Sequence, residues 1–273
     1  MKNIAVFGIV CLIAMLLIGL AVAKPDTDRD PTTNQKGNVP LTIPAHAIEV
    51  APEVFYLGQT ADIDGTKVEG YMFVHKKNAA KPQPSANNAG ISCYSFLASG
   101  AKWKVVEPWV VNTANNQNLD GTFVLSNIGA NIQKWENAAS FNIMGTGSTT
   151  SNVLVADQAS TDGQNEIYFG SIADPNTIAV TITWGIYSGP IKNRRLVEFD
   201  QIYDQDDFAW SSAGEAGKMD FENIATHEIG HGIGMGHPSS SCTEETMYAY
   251  ASFGETKKRS LNAGDSAGIN ALY

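Results

Sequence analysis

The chain has 273 residues, with 18 basic against 28 acidic side chains and a formal charge of −10 at neutral pH. That acidic balance argues against nucleic acid or an anionic membrane surface as the partner. The length allows one large domain with an extension, or two small domains.

The first 23 residues carry a single charge, Lys2, then an apolar run from Ile4 to Leu20, and end in Ala21-Val22-Ala23. This is the pattern of a signal peptide with an A-x-A cleavage site. The alternative is a retained membrane anchor, because the run approaches the length that spans a bilayer. Val10 stands before Cys11 where a lipoprotein signal needs a small residue. Cleavage after Ala23 leaves 250 residues with 17 basic and 28 acidic side chains, a charge of −11, and no later stretch that could span a membrane. The reading is a secreted, extracellular protein.

Residues 24–38 are polar and proline- and aspartate-rich, the composition of a disordered leader. Ile48 to Gln59 and Val68 to His75 read as two strands around a turn at Asp62-Ile63-Asp64-Gly65. The Asp-x-Asp-Gly run hints at calcium, but the rest of a twelve-residue binding loop is missing. An isolated hairpin is marginal in water, so this pair must pack on something, either as a pro-segment or as an added edge of the domain that follows. Lys76 to Gly90 reads as a linker. His46 and His75 have no ligand-type neighbours and read as incidental.

From residue 91 the texture is that of a packed α/β domain. Trp103 to Asn112 reads as a strand, and Asp120 can cap the helix in which Val124, Ile128, Ile132, Trp135 and Ala139 form one buried stripe. After a glycine- and threonine-rich loop at 145–151 come three strands, Val153 to Ala156, Glu166 to Gly170 and Ile178 to Ile186. The alternation of Thr with apolar residues in Ile178 to Trp184 suggests a sheet edge with one solvated face. Arg195 to Tyr203 is the last strand. Two carboxylate clusters, Asp157 with Asp162 and Glu166, and Asp204 with Asp206 and Asp207, read as solvated turns, with structural Ca²⁺ as the alternative.

Three of the five histidines then fall within eleven residues, His227-Glu228-x-x-His231-x-x-Gly234-x-x-His237. On a helix capped by Asp220, His227, Glu228 and His231 share one face. Two imidazoles one turn apart can bind one Zn²⁺, and Glu228 beside them can take a proton from a water that the metal activates. His237 reaches the same metal only if the helix stops and the chain turns back. Gly234 permits this by entering the left-handed region. Three protein ligands leave one position open, as at a catalytic zinc.

This motif resembles the metzincin metalloendopeptidases, and among them the matrixin branch. Glu245-Thr246-Met247-Tyr248 is similar to the family's methionine turn, and Leu261 to Tyr273 to its closing helix. The resemblance implies zinc ligands His227, His231 and His237, Glu228 as general base, Met247 as a floor under the metal, and Asp265 as a brace for the methionine turn. It also implies a twisted mixed α/β (α+β) sheet, mostly parallel, with an antiparallel edge strand above the metal to pair with an extended substrate. Ile178 to Ile186 matches that edge strand best. Pro238 follows the third histidine, where matrixins usually have Ser. Ala249 stands where other branches place a metal-binding tyrosine, so no such ligand is expected.

The sequence therefore divides into a signal peptide (1–23), an extension or pro-segment (24–90) and a catalytic domain (91–273). The expected function is that of a monomeric secreted zinc endopeptidase acting on protein or peptide. The alternatives are a zinc-containing adhesion or scaffold protein and a zinc hydrolase of non-peptide amides. Of the three cysteines, Cys11 leaves with the signal peptide, and Cys93 and Cys242 make an even pair suited to one disulfide. In matrixin zymogens a cysteine ahead of the catalytic domain occupies the zinc's open position. The surroundings of Cys93 lack the flanking residues of that switch, which favours the disulfide.

Overall fold

The computed structural model describes residues 39–77 and 92–273. The signal peptide, the leader and nearly all of the linker fall outside the described residues. Among those described, no helix is long and apolar enough to cross a membrane.

The stretch that reads as one strand from Ile48 to Gln59 is two, Ile48–Ala51 (β1) and Val54–Ala61 (β2), paired antiparallel. Pro52 and Glu53, the latter at φ 61°, reverse the chain between them. β2 turns into Lys67–Lys77 (β3) where the Asp62 N–H donates to Thr66 O and the Gly65 N–H donates to Asp62 O.

After Ser95–Phe96 (β4) come Glu107–Asn112 (β5), the helix Gly121–Ala139 (α1), Met144–Thr149 (β6), Glu166–Gly170 (β7), Thr177–Ile186 (β8) and Arg195–Asp204 (β9). The remaining elements are Trp210–Ser211 (β10), Met219–Asp220 (β11), Phe221–Gly232 (α2), Met235–Gly236 (β12), Tyr250–Ala251 (β13) and Ala263–Leu272 (α3). The Asp120 carboxylate accepts from the Phe123 N–H and starts α1, and all five stripe residues of that helix are buried.

The main sheet is mixed, in the order β1-β2-β3-β8-β9-β7-β5-β6, with β13 added along β3. β5 runs parallel to β6 and β7, and β7 parallel to β9, whereas β8 is antiparallel to both β9 and β3. The helices cover one face, where Val111, Ile128, Trp135, Phe199, Ile224 and Ile229 belong to the larger core. A smaller core joins Leu57, Met72 and Val74 of the hairpin to Val180, Ile182 and Ile202.

Two sequence expectations change. β8 is not the sheet edge, because β3 pairs along it from Glu69↔Gly185 to Lys76↔Thr177, and Thr181 and Thr183 are buried. Thr181 meets Glu228 on α2 and Thr183 meets the Tyr187 hydroxyl, so neither faces water. The second change concerns the loop expected at 145–151 and the strand expected at Val153 to Ala156: Met144–Thr149 is β6, the outer strand beside β5, and Val153 to Ala156 forms no strand. Two glycines weaken a strand, yet here Gly147 makes room for Trp109, whose indole N–H donates to Gly145 O at 3.0 Å. The ring lies where a side chain at Gly147 would stand. With β6 and β7 on its two sides, β5 has no edge left for Val153 to Ala156.

Candidate metal centre

α2 begins at Asp220, whose carboxylate accepts from the Asn223 N–H at 2.9 Å and pairs with Arg259. The cap sets the helix phase that turns His227, Glu228 and His231 toward β8. The helix ends at Gly232, and Gly234 takes φ 104°. A Cβ there would stand 2.8 Å from Ala101 O, so close approach as well as backbone conformation calls for glycine. β12 then pairs with β4 and returns His237 to the helix.

The result is three ring nitrogens facing one point. His231 Nε2 lies 3.0 Å from His227 Nε2 and 3.1 Å from His237 Nε2. The opposite nitrogens are committed as donors to carbonyls: His227 Nδ1 to Thr246 O at 2.7 Å, His231 Nδ1 to Met235 O at 2.9 Å, and His237 Nδ1 to Pro52 O at 3.4 Å. That tautomer leaves three unprotonated Nε2 atoms directed at each other, which is repulsive unless a cation sits between them. Burial also holds all three imidazoles below the usual histidine range, His237 down to about 3, so they stay neutral and available as ligands. The donor set fits zinc.

Met247 is fully buried against α2, where a Cβ on Gly230 would collide with its sulfur and with Trp135. Asp265 accepts from the Thr246 N–H at 2.7 Å and the Met247 N–H at 3.1 Å. The turn that carries Met247 is therefore also the turn whose carbonyl orients His227. Cys93 and Cys242 are joined in a disulfide, and the Ser95 hydroxyl donates to His237 O at 2.6 Å. Both tie the domain's first segment to the loop that carries the third histidine.

Glu228 has no exposure to solvent, and burial raises its carboxyl to about 8 against the opposing effects of Thr181 and Lys258. The Thr181 hydroxyl donates to Oε2 at 2.6 Å. The other oxygen, Oε1, lies 2.9 Å from Nδ1 of His75. His75 reads as incidental in the sequence, and the structure corrects this. Its ring lies 3.9 Å from that of His227, and its Nε2 is 3.2 Å from Lys258 Nζ. Burial lowers Lys258 to about 7 against the opposing charges of Glu255 and Glu228; its ammonium form only donates, so Nε2 accepts and the Nδ1–H donates to Glu228. Burial and then Lys258 push His75 well below the usual range, keeping it neutral.

The cleft over the histidines is thus covered by β3. Phe73 stacks on His231 with ring centroids 4.1 Å apart, His75 binds Glu228, and β13 runs parallel to β3 on the far side (Tyr250↔Lys76). A cavity of about 530 Å³ still reaches His237 between the hairpin (Pro52, Val54, Tyr71) and Phe96. His46 lies apart from the site and contacts Leu57 O at 3.0 Å.

The acidic residues regroup. Asp157, Glu198 and Asp200 bring carboxylate oxygens within reach of one ion, and Glu198 Oε1 is buried without a partner. Burial raises Glu198 to about 8 and Glu166 to about 7, and lifts Asp200 well above its usual range. Asp162 serves its own turn, accepting from the Gln164 N–H at 2.9 Å. Glu166 accepts from the Val155 N–H at 3.0 Å, and Asp204 from the Ile172 and Asp207 N–H groups at 3.1 and 2.8 Å.

Compared with known proteins, residues 109–273 match the matrixin peptidase family, a stretch that covers more than half of the chain. The chain belongs to the matrixin family. Membership implies zinc, for which the three histidines form a consistent site. This matrixin is 36% identical to matrilysin of Rattus norvegicus over 74 residues, 27% of this chain and 26% of that protein. It is 45% identical to Metalloendoproteinase 1-MMP of Arabidopsis thaliana over 56 residues, 20% of this chain and 14% of that one. The matched stretches therefore span about a quarter of matrilysin and less of the plant protein. The strand over the cleft, β3, lies outside the residues that match the family.

Proposed function

We propose that this matrixin is a secreted zinc-dependent endopeptidase that hydrolyses internal peptide bonds. The observation that carries the reading is the convergence of His227, His231 and His237 beside a buried carboxylate, Glu228. Zinc held by these histidines would supply Lewis acidity, polarising the scissile carbonyl and making a water a stronger acid. Glu228, in its carboxylate form, would take the proton from that water and pass it to the leaving amine. The Thr181 hydroxyl holds one carboxylate oxygen, and the other, bound by His75 while β3 is in place, is the one that would face the substrate. Purified protein should contain one zinc and cleave casein, and excess phenanthroline should abolish the cleavage. Zinc-free protein, or full activity in the chelator, would reject the reading.

The hairpin supports a second part of this reading, that residues 24–90 act as a pro-segment. β3 lies where an extended substrate would pair with β8, and His75 holds the proton acceptor. Cleavage within 78–91 and loss of the hairpin should raise activity. Intact mass before and after secretion tests this together with removal of residues 1–23. Asp157, Glu198 and Asp200 are read as a structural calcium position, supported by the unpartnered oxygen of Glu198.

A further inference from the structure

The strand that covers the cleft is also a cast of what the cleft accepts, an argument that rests on the peptidase reading above. β3 is antiparallel to β8 and parallel to β13, so backbone on both sides keeps it extended. Backbone pairing carries little sequence preference, and selectivity comes from the pockets under alternate residues. Phe73 lies on His231, and His75 enters a closed pocket bounded by Glu228, His227 and, at its end, Lys258.

Lys258 has no exposure to solvent and makes no ion pair among the described residues. Its backbone N–H donates to Asn223 Oδ1 at 2.7 Å, which anchors the residue to α2. The ammonium has three neighbours: Tyr248 O, His75 Nε2 and, at 3.5 Å, His227 Nδ1. The last already donates to Thr246 O and has no lone pair to offer. Among the groups in hydrogen-bond contact with Nζ, only one acceptor besides a backbone carbonyl therefore remains, and β3 brings it, while Glu255 acts on Lys258 through its charge. When β3 leaves, a buried ammonium loses that partner, and the next occupant of the pocket must replace it or leave the group unsatisfied.

We propose that Lys258 is the specificity-determining residue of this peptidase, selecting a substrate side chain next to the cleaved bond that presents a hydrogen-bond acceptor where Nε2 of His75 stands. Glutamine, glutamate and histidine meet that demand. The terminal oxygen of glutamine or glutamate is as many bonds from Cα as Nε2 of histidine is. Leucine fills similar space without an acceptor. Sites built around a hydrogen bond reject analogues that lack it far more strongly than apolar pockets reject a missing methylene.

The test uses the full-length protein nicked within 78–91, and peptides that differ only at the two residues flanking the cleaved bond. Glutamine, glutamate or histidine at one of them should exceed leucine by about tenfold or more in kcat/KM. K258M should reverse the order and K258R should keep it. A wild-type preference for leucine or phenylalanine at both positions overturns the assignment. A readout without turnover is the melting temperature of the intact, metal-free chain. H75Q should melt closer to wild type than H75L, and the K258M background should close that gap. Equal melting of H75Q and H75L overturns the assignment even if peptides are cleaved. Zinc-loaded protein freed of the hairpin that cleaves no peptide defeats the peptidase reading instead, while the melting series still decides what Lys258 selects.

Discussion

Phe73→Ala removes a ring that is 2% exposed and stacked on His231 at 4.1 Å. Truncating a buried phenylalanine costs about 3–5 kcal/mol. The loss falls on the state in which β3 lies on β8, because in a released strand the ring is in water and its removal changes little. Every 1.4 kcal/mol is a factor of ten, so the ratio of covered to open molecules should fall by roughly a hundredfold to a few thousandfold. Met72 and Val74 point to the opposite face and pack with Val180 and Ile182. They keep the hairpin attached to the domain, so the variant should fold while opening more often. The assay is the initial rate of intact, zinc-loaded protein on a quenched fluorescent peptide, with zinc content measured in parallel and Glu228→Ala as the blank. A rate at least about a hundredfold above wild type is expected while the open form stays a minority. If the melting temperature falls but the rate stays within about twofold of wild type at equal zinc content, the cavity cost of Phe73 has been expressed without opening the cleft. The hairpin would then be a fixed part of the domain.

Glu228→Ala should retain zinc and lose at least about 10²–10⁴ in turnover, whereas His231→Ala should lose the metal, as metal analysis would show; near wild-type cleavage by the first variant would reassign the base. With Glu198 raised to about 8 and Glu166 to about 7 from values near 4.5, the folded chain holds protons that the unfolded chain has released. That contribution to stability is complete below about pH 4.5 and is lost as pH rises through 7 and 8. In chelator the melting temperature should therefore fall from pH 5 to 8 and calcium should restore it, and a flat or rising profile would count against the site. Replacing Cys93 and Cys242 by Ser releases a loop that spans 149 positions, at a cost of at most about 5 kcal/mol. The expected sign is lower stability and weaker zinc retention, and unchanged zinc affinity would show that the bond does not position His237.

What could be read from the sequence is what depends on near neighbours along the chain. The spacing of His227, Glu228 and His231 is a property of one helix turn, and the return of His237 requires a glycine three residues before it. The buried stripe of α1 is equally local, as is its Asp120 cap. The pairing of His75 with Glu228 joins residues 153 apart, and no local periodicity encodes it. Which strand lies on β8 is settled by which edge is open once the whole sheet has assembled. The threonines of β8 look like a solvated face because sequence shows polarity without showing its partner, here the buried Glu228 and the hydroxyl of Tyr187. Lys258 sits in the run Lys257-Lys258-Arg259, where nothing local distinguishes it from its neighbours. Only tertiary packing buries it, since its partners come from β3, the methionine turn and α2, three segments brought together by long-range contacts.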